Sequence, residues 1–209
     1  MKIGYFVTAC NEINELTRLL LMLKTNVSES DCIGILLDED NHTTEVKELC
    51  EKFLLPDNSI RMAYAPLNND FATFKNVGYE LLEDCDWIFQ IDADELPSST
   101  LMDNLHSILE MNPNVELILV PRINTVEGLT RQHIDKWRWK VNDEGWVNWP
   151  DYQGRIYKRS ADIQWTGRVH EKIEGQKQVS MIPMHEQLAL HHPKTIERQE
   201  HQNNFYESI

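Results

Sequence analysis

Asp92-Ala93-Asp94-Glu95 sets three carboxylates within four residues, directly after the apolar run Trp87-Ile88-Phe89-Gln90-Ile91. Carboxylates this close repel one another, so holding them at a strand end requires a cation or hydrogen-bond donors to neutralise them. A hard divalent ion, Mn2+ or Mg2+, suits that need, because it takes oxygen ligands: one or two carboxylates, phosphates and water. The plain alternative is a solvated loop or a helix start, where acidic side chains complement the helix dipole. Two other acidic motifs fit poorly. An EF-hand loop counted from Asp92 wants Gly at its sixth position and Glu at its twelfth, and this chain has Pro97 and Asp103 there. An aspartyl-nucleophile phosphotransferase also suits a strand-end Asp, but the position where its next polar residue would fall is Leu96.

The elements that must position these acids alternate. Ile3 to Ala9 reads as a buried strand, and Ile13, Leu16, Leu19, Leu20 and Leu23 recur at helical spacing. A strand from Ile33 to Leu37 ends at Asp38, and a helix carrying Val46, Leu49, Cys50 and Phe53 follows. Ile60 to Tyr64 is a third strand, Phe74, Val77, Leu81 and Leu82 mark a third helix, and Trp87 to Ile91 is a fourth strand. Pro97 and Ser98 open a helix with Leu101, Leu105, Ile108 and Leu109, and the apolar strand Val115 to Val120 comes next. This order predicts an α/β fold with a mostly parallel central sheet flanked by helices. Ligands of such sheets bind beyond the carboxyl ends of the strands, where Thr8, Asn11, Asp38, Asp92 and Asp94 fall.

Past residue 121 the alternation stops. Trp137, Trp139, Trp146, Trp149 and Tyr152 crowd 16 residues; they form either a small core under a loop or a surface for stacking sugars. Arg155-Ile156-Tyr157, Ile163-Gln164-Trp165 and Val169-His170-Glu171 then suggest short antiparallel strands, and 195–206 is polar and helix-compatible. At 209 residues the expectation is one domain, 1–209, with a nucleotide-binding half to about 121 and an acceptor-binding half beyond it.

Composition excludes several classes. A net charge of −14 repels nucleic acid and anionic lipid at long range. Basic residues gather between Arg131 and Lys172, either as a local anion site or as a solvated face. No apolar stretch is long enough for a membrane span. The start at Met1 leads straight into a strand without a small-residue cleavage pattern, so a cytoplasmic location is expected. Cys10, Cys32, Cys50 and Cys85 are widely separated, which suits free thiols better than a zinc knuckle.

The stretches Asp70-Phe71-Ala72-Thr73-Phe74-Lys75-Asn76 and Asp86 to Glu95, followed by Gly154-Arg155-Ile156-Tyr157 and Trp165-Thr166-Gly167-Arg168-Val169-His170-Glu171, resemble the family 2 glycosyltransferases. Within that GT-A-fold family the Gly-x-Val-His-Glu segment looks like the branch that includes lipopolysaccharide-core glucosyltransferases. The resemblance runs over most of the chain, from Thr8-Ala9-Cys10-Asn11-Glu12 to His191-His192-Pro193-Lys194-Thr195. It implies that Thr8, Asn11 and Asp38 line the nucleotide, that Lys75 lies near base or ribose, and that Asp92 lies near ribose and metal. It implies Asp94 as direct metal ligand, His192 (or its neighbour His191) as the residue completing the metal site, and Glu171 as general base. The residues Asp38-Glu39-Asp40-Asn41-His42 depart from the small residues that the family carries after its second strand. Trp149, Arg155 and Trp165 are the acceptor-binding candidates.

The chemistry asks for the same residue types. Sugar transfer from a nucleoside diphosphate needs charge stabilisation on the departing diphosphate, which a metal provides. It also needs a carboxylate within reach of the acceptor hydroxyl. The reading is a Mn2+- or Mg2+-dependent transfer from a nucleotide sugar, expected to be a UDP-sugar, to a saccharide or glycolipid acceptor, with inversion implied by the resemblance. Its rivals are a nucleotidyltransferase, which should carry a Gly-rich basic phosphate loop where this chain has Thr8-Ala9-Cys10-Asn11-Glu12, and a non-catalytic carbohydrate-binding protein using the tryptophans.

Overall fold

The computed structural model describes residues 1–54 and 59–207. The first half runs β1 (Ile3–Ala9), α1 (Ile13–Asn26), β2 (Cys32–Asp38), α2 (Thr44–Leu54) and β3 (Ile60–Ala65). It continues with α3 (Phe71–Val77), a 3-10 turn (Gly78–Leu82), β4 (Trp87–Asp92), the two-residue β5 (Leu96–Pro97), α4 (Ser99–Met111) and β6 (Leu117–Glu127). The second half holds α5 (Arg131–Trp137), β7 (Val147–Lys158), β8 (Gln164–Thr166), β9 (Lys172–Glu174), β10 (Val179–Met181), β11 (Leu190–Thr195) and α6 (Ile196–Glu207).

These elements build a sheet of order β3-β2-β1-β4-β7-β6-β11-β5, with β10 added alongside β6. The pairs among β1, β2, β3 and β4 are parallel, as are β6 with β10 and with β11. All seven residues of β2 are buried, as a strand covered on both faces requires. The helix α1 presents Leu16, Leu19, Leu20 and Leu23 to one face of the sheet, where Val46 and Cys50 of α2 and Leu101, Leu105 and Leu109 of α4 join them. The other face is covered by Phe74, Leu82, Ile163, Trp165 and Ile173, packed on Phe6, Leu36 and Tyr157.

Two departures from the sequence reading matter for the site. A single 12-residue strand, β7, replaces the short strand expected at 155–157 and inserts antiparallel between β4 and β6. Val169, His170 and Glu171 form a loop and not a strand: His170 takes a left-handed backbone (φ 56°), and β9 begins only at Lys172. The third helix is also shorter than its apolar spacing suggests, passing into the 3-10 turn at Gly78. There the turn lies so close to the sheet that a Cβ on Gly78 would come within 1.8 Å of the Phe6 ring. Gly78→Ala should therefore lower the thermal unfolding midpoint, with a loss of about 1–3 kcal/mol or more as Phe6 is displaced. An unchanged midpoint would contradict this packing.

Candidate active site

The parallel strands deliver their polar ends to one edge. Thr8 of β1 stands in register with Asp92 of β4, and its hydroxyl donates to Asp92 Oδ1 at 3.2 Å. The loop that follows β4 folds back on itself through Glu95 N–H donating to the Asp92 carbonyl, so that Asp92, Asp94 and Glu95 stay together. Each acid then meets cations from elsewhere in the chain. Arg155 of β7 places Nη2 at 2.7 Å from Asp92 Oδ2 and 2.6 Å from Glu95 Oε1. Arg122 of β6 donates Nη1 to Glu95 Oε1 and also clasps Asp151 Oδ2.

Lys75 comes from α3, whose start is capped by Asp70 accepting from Thr73 N–H. The ammonium lies 2.8 Å from Glu171 Oε1 and 3.1 Å from Asp92 Oδ1, and 4.5 Å from the centroid of the Trp165 ring. Asn76 beside it exchanges two hydrogen bonds with the backbone of Trp165, tying β8 to α3. The Lys75-Asn76 pair therefore divides its work: Asn76 fixes the strand, and Lys75 joins Asp92 to Glu171.

Asp94 is held differently. Its Oδ2 has His192 Nε2 at 3.3 Å, Lys194 Nζ at 3.5 Å and Arg198 at 3.6 Å. Burial alone would raise both aspartates, but Arg155 and then Lys75 hold the Asp92 carboxyl well below its usual range, and His192, Lys194 and Arg198 do the same for Asp94. Burial pushes the His192 imidazole below its ordinary value in spite of Asp94, so the neutral ring prevails at neutral pH.

Beside these groups lies a cavity of about 730 Å³. Asp92, Asp94, Arg155, Glu171 and His192 line it, as do Trp139, Asn148, and Gln199 and Asn203 of α6. The other nucleotide candidates lie outside it. Asn11 is exposed after β1, and Asp38 is buried at the end of β2, where its carboxylate accepts from Asp40 N–H, Asn41 Nδ2 and Leu67 N–H. The acceptor candidates separate. Arg155 and Trp165 are buried in the cavity floor, Trp165 donating Nε1–H to the Tyr157 hydroxyl, whereas Trp149 packs edge-on against Trp146 and does not line the cavity. The exposed His191 lies next to His192 on β11, pointing to the opposite face of the strand.

Asp94 and His192 fit a divalent ion by their chemistry, an oxygen and a nitrogen donor converging at one buried spot. Two protein donors leave the remaining positions to water and ligand phosphates, the usual pattern for Mg2+. Elsewhere, Cys32, Asp84 and Cys85 converge, with their sulfurs 3.1 Å apart. Arg61 and Lys2 already hold Asp84, each at 2.6 Å, so that cluster has little use for a further cation.

Solved structures share this architecture. S. aureus TarS, residues 1–349, superposes with a TM-score of 0.64 over 92% of this chain at 12% identity. TarS in complex with UDP gives 0.65 at 12% identity over 92%, and TarS in complex with UDP-GlcNAc gives 0.61 at 13% over 93%. The fold is GT-A-like. The chain spans about 60% of the length of these TarS structures. No protein-family model matches the sequence, and no curated protein matches it. Among the described residues, no helix is long and apolar enough to cross a membrane.

The depressed aspartates fix the sign of a pH effect. A carboxylate held below its unfolded value stabilises the fold above that value, and the contribution is lost as pH falls toward the folded one. The urea midpoint should therefore drop as pH goes below about 4. Arg155→Met should lower stability at neutral pH by about 3 kcal/mol or more and flatten the acid dependence, because Asp92 then titrates nearer its ordinary range. A variant with the wild-type acid profile would contradict the pairing.

Proposed function

We propose that the chain is a metal-dependent glycosyltransferase that moves a sugar from a nucleotide sugar, with UDP as the nucleotide, to a saccharide or glycolipid acceptor with inversion. The observation that carries the reading is the meeting of Asp94 and His192 beside Asp92 and Glu171, at the strand ends of a fold whose solved examples include complexes with UDP and UDP-GlcNAc. The motif residues quoted above support it, since most of the site residues they predict converge within this one site.

In this reading Asp94 and His192 hold Mn2+ or Mg2+, which supplies positive charge for the departing diphosphate. Thr8, Asn11, Asp38, Lys75 and Asp92 belong to the nucleotide side. Glu171 is the general base. The acceptor oxygen bonds to the anomeric carbon, the bond from that carbon to the diphosphate oxygen breaks, and the acceptor proton passes to Glu171. Lys75 holds Glu171 through Oε1 and keeps it close to Asp92. Acceptor contacts are assigned to Arg155 and Trp165, which line the cavity, and to Trp149, which packs on Trp146 outside it.

Calorimetric titration of UDP with Mn2+, and again with EDTA, tests the donor site. Binding is expected only with the metal. Asp94→Ala should abolish that binding. Glu171→Gln should retain it while slowing UDP release from UDP-sugars by about 10²- to 10⁴-fold. Wild-type release by both variants would refute the assignments, and no UDP binding under either condition would remove UDP as the nucleotide.

A further inference from the structure

The imidazole of His192 is gripped from behind. Its Nδ1 lies 2.7 Å from Asn124 Oδ1, across the β6–β11 register in which the two residues face each other. The orientation of the Asn124 amide follows from its other end. The amide nitrogen points to Asp151 Oδ2 at 2.9 Å and to the Val147 carbonyl at 3.5 Å, both pure acceptors. A flipped amide would set oxygen against oxygen at both, so the Asn124 oxygen must face the ring. Asp151 is itself fixed, because the same Oδ2 accepts from Arg122 Nε at 2.9 Å and Nη2 at 2.6 Å. Arg122 reaches on to Glu95. The chain of contacts leaves Glu95, passes through Arg122, Asp151, Asn124 and His192, and returns to Asp94, the residue next to where it began.

An acceptor at Nδ1 requires the proton there. In a neutral ring Nε2 then carries a lone pair, and it faces Asp94 Oδ2 at 3.3 Å. Lys194 and Arg198 lie at 3.5 and 3.6 Å from the same oxygen, so a metal at this place would take over from them. We infer that Asn124 is a positioning residue, which, held by Asp151 and Arg122, fixes His192 as its Nδ1–H tautomer and so keeps Nε2 turned toward Asp94 as a ready-made metal donor. The inference rests on the metal reading above for its purpose, but the tautomer itself exists without any metal. Second-sphere partners of this type hold a ligating histidine in one orientation and raise its basicity.

Two measurements decide it. Nitrogen-15 NMR of the metal-free wild-type protein at pH 8 should show His192 with its proton on Nδ1; an Nε2–H ring or an imidazolium at that pH overturns the inference, with no variant needed. Mn2+ alone, titrated by electron paramagnetic resonance, should bind Asn124→Ala about 10- to 100-fold more weakly than wild type, and the His192 signal of that variant should move away from the single tautomer. Equal Mn2+ affinity in the two proteins overturns the positioning role. If the wild-type protein takes up no Mn2+, the metal reading fails, and the tautomer signal decides the inference by itself.

Discussion

Everything in this molecule is arranged around the need to neutralise the acids that follow β4. Asp92, Asp94 and Glu95 leave the sheet together, Glu95 with a fully buried side chain, and unpaired charge in such a place is prohibitive. The chain answers with five cations from five different elements: Lys75 from α3, Arg122 from β6, Arg155 from β7, Lys194 from β11 and Arg198 from α6. The antiparallel insertion of β7 between β4 and β6 has its explanation here. That position lets Arg155 reach Asp92 and Glu95 with one nitrogen, which a strand farther from β4 could not do.

The same pairing joins the two halves of the chain. Lys75 belongs to the first half and Glu171 to the second, and their contact crosses 96 positions of sequence. Trp165 lies under the Lys75 ammonium and Asn76 pins the Trp165 backbone, so the loop carrying Glu171 is located by the helix that also serves Asp92. The left-handed backbone at His170 turns the chain so that Glu171 enters the cavity next to that ammonium. A left-handed non-glycine residue is disfavoured by itself and persists where its surroundings dictate it, often beside a functional group.

The first half was legible because its physics is simple. Strands covered on both faces must be continuous and apolar, amphipathic helices must repeat at 3.6 residues, and Asp92 and Asp94 stand out at a strand end. The acids also announced that cations were needed, and a bound ion was the natural guess; the structure shows that the protein brings many of its own. Which basic residues do so was not readable. Of the crowd between Arg131 and Lys172, Arg155 reaches the acids, while Arg131, Lys136, Arg138 and Lys140 are exposed. Strand β11 is hard to read from the sequence for a related reason. It alternates properly, but its buried positions are Leu190, His192 and Lys194, so an alternation of charge and imidazole hides a pattern usually found in apolar residues. Likewise Arg122, Asn124 and Asp151 are polar residues within long strands, and only the register across β6, β7 and β11 brings them together.

The two aspartates of the motif are not equivalent, and the difference bears on which one could exchange partners. Asp92 is held tightly, with Arg155 at 2.7 Å and Lys75 at 3.1 Å, both cations buried. Among the described residues, His192, Lys194 and Arg198 pair with Asp94 Oδ2, and none of them comes closer than 3.3 Å. Arg198 also has other acids, Glu15 of α1 at 3.0 Å and Glu12, the residue before that helix, at 3.3 Å, so it can release Asp94 without losing all its partners. A divalent ion entering beside Asp94 would then displace loose contacts and leave the tight set at Asp92 intact. The short contacts hold Asp92 in place, and Asp94, with His192 behind it, is the more loosely held carboxylate of the pair.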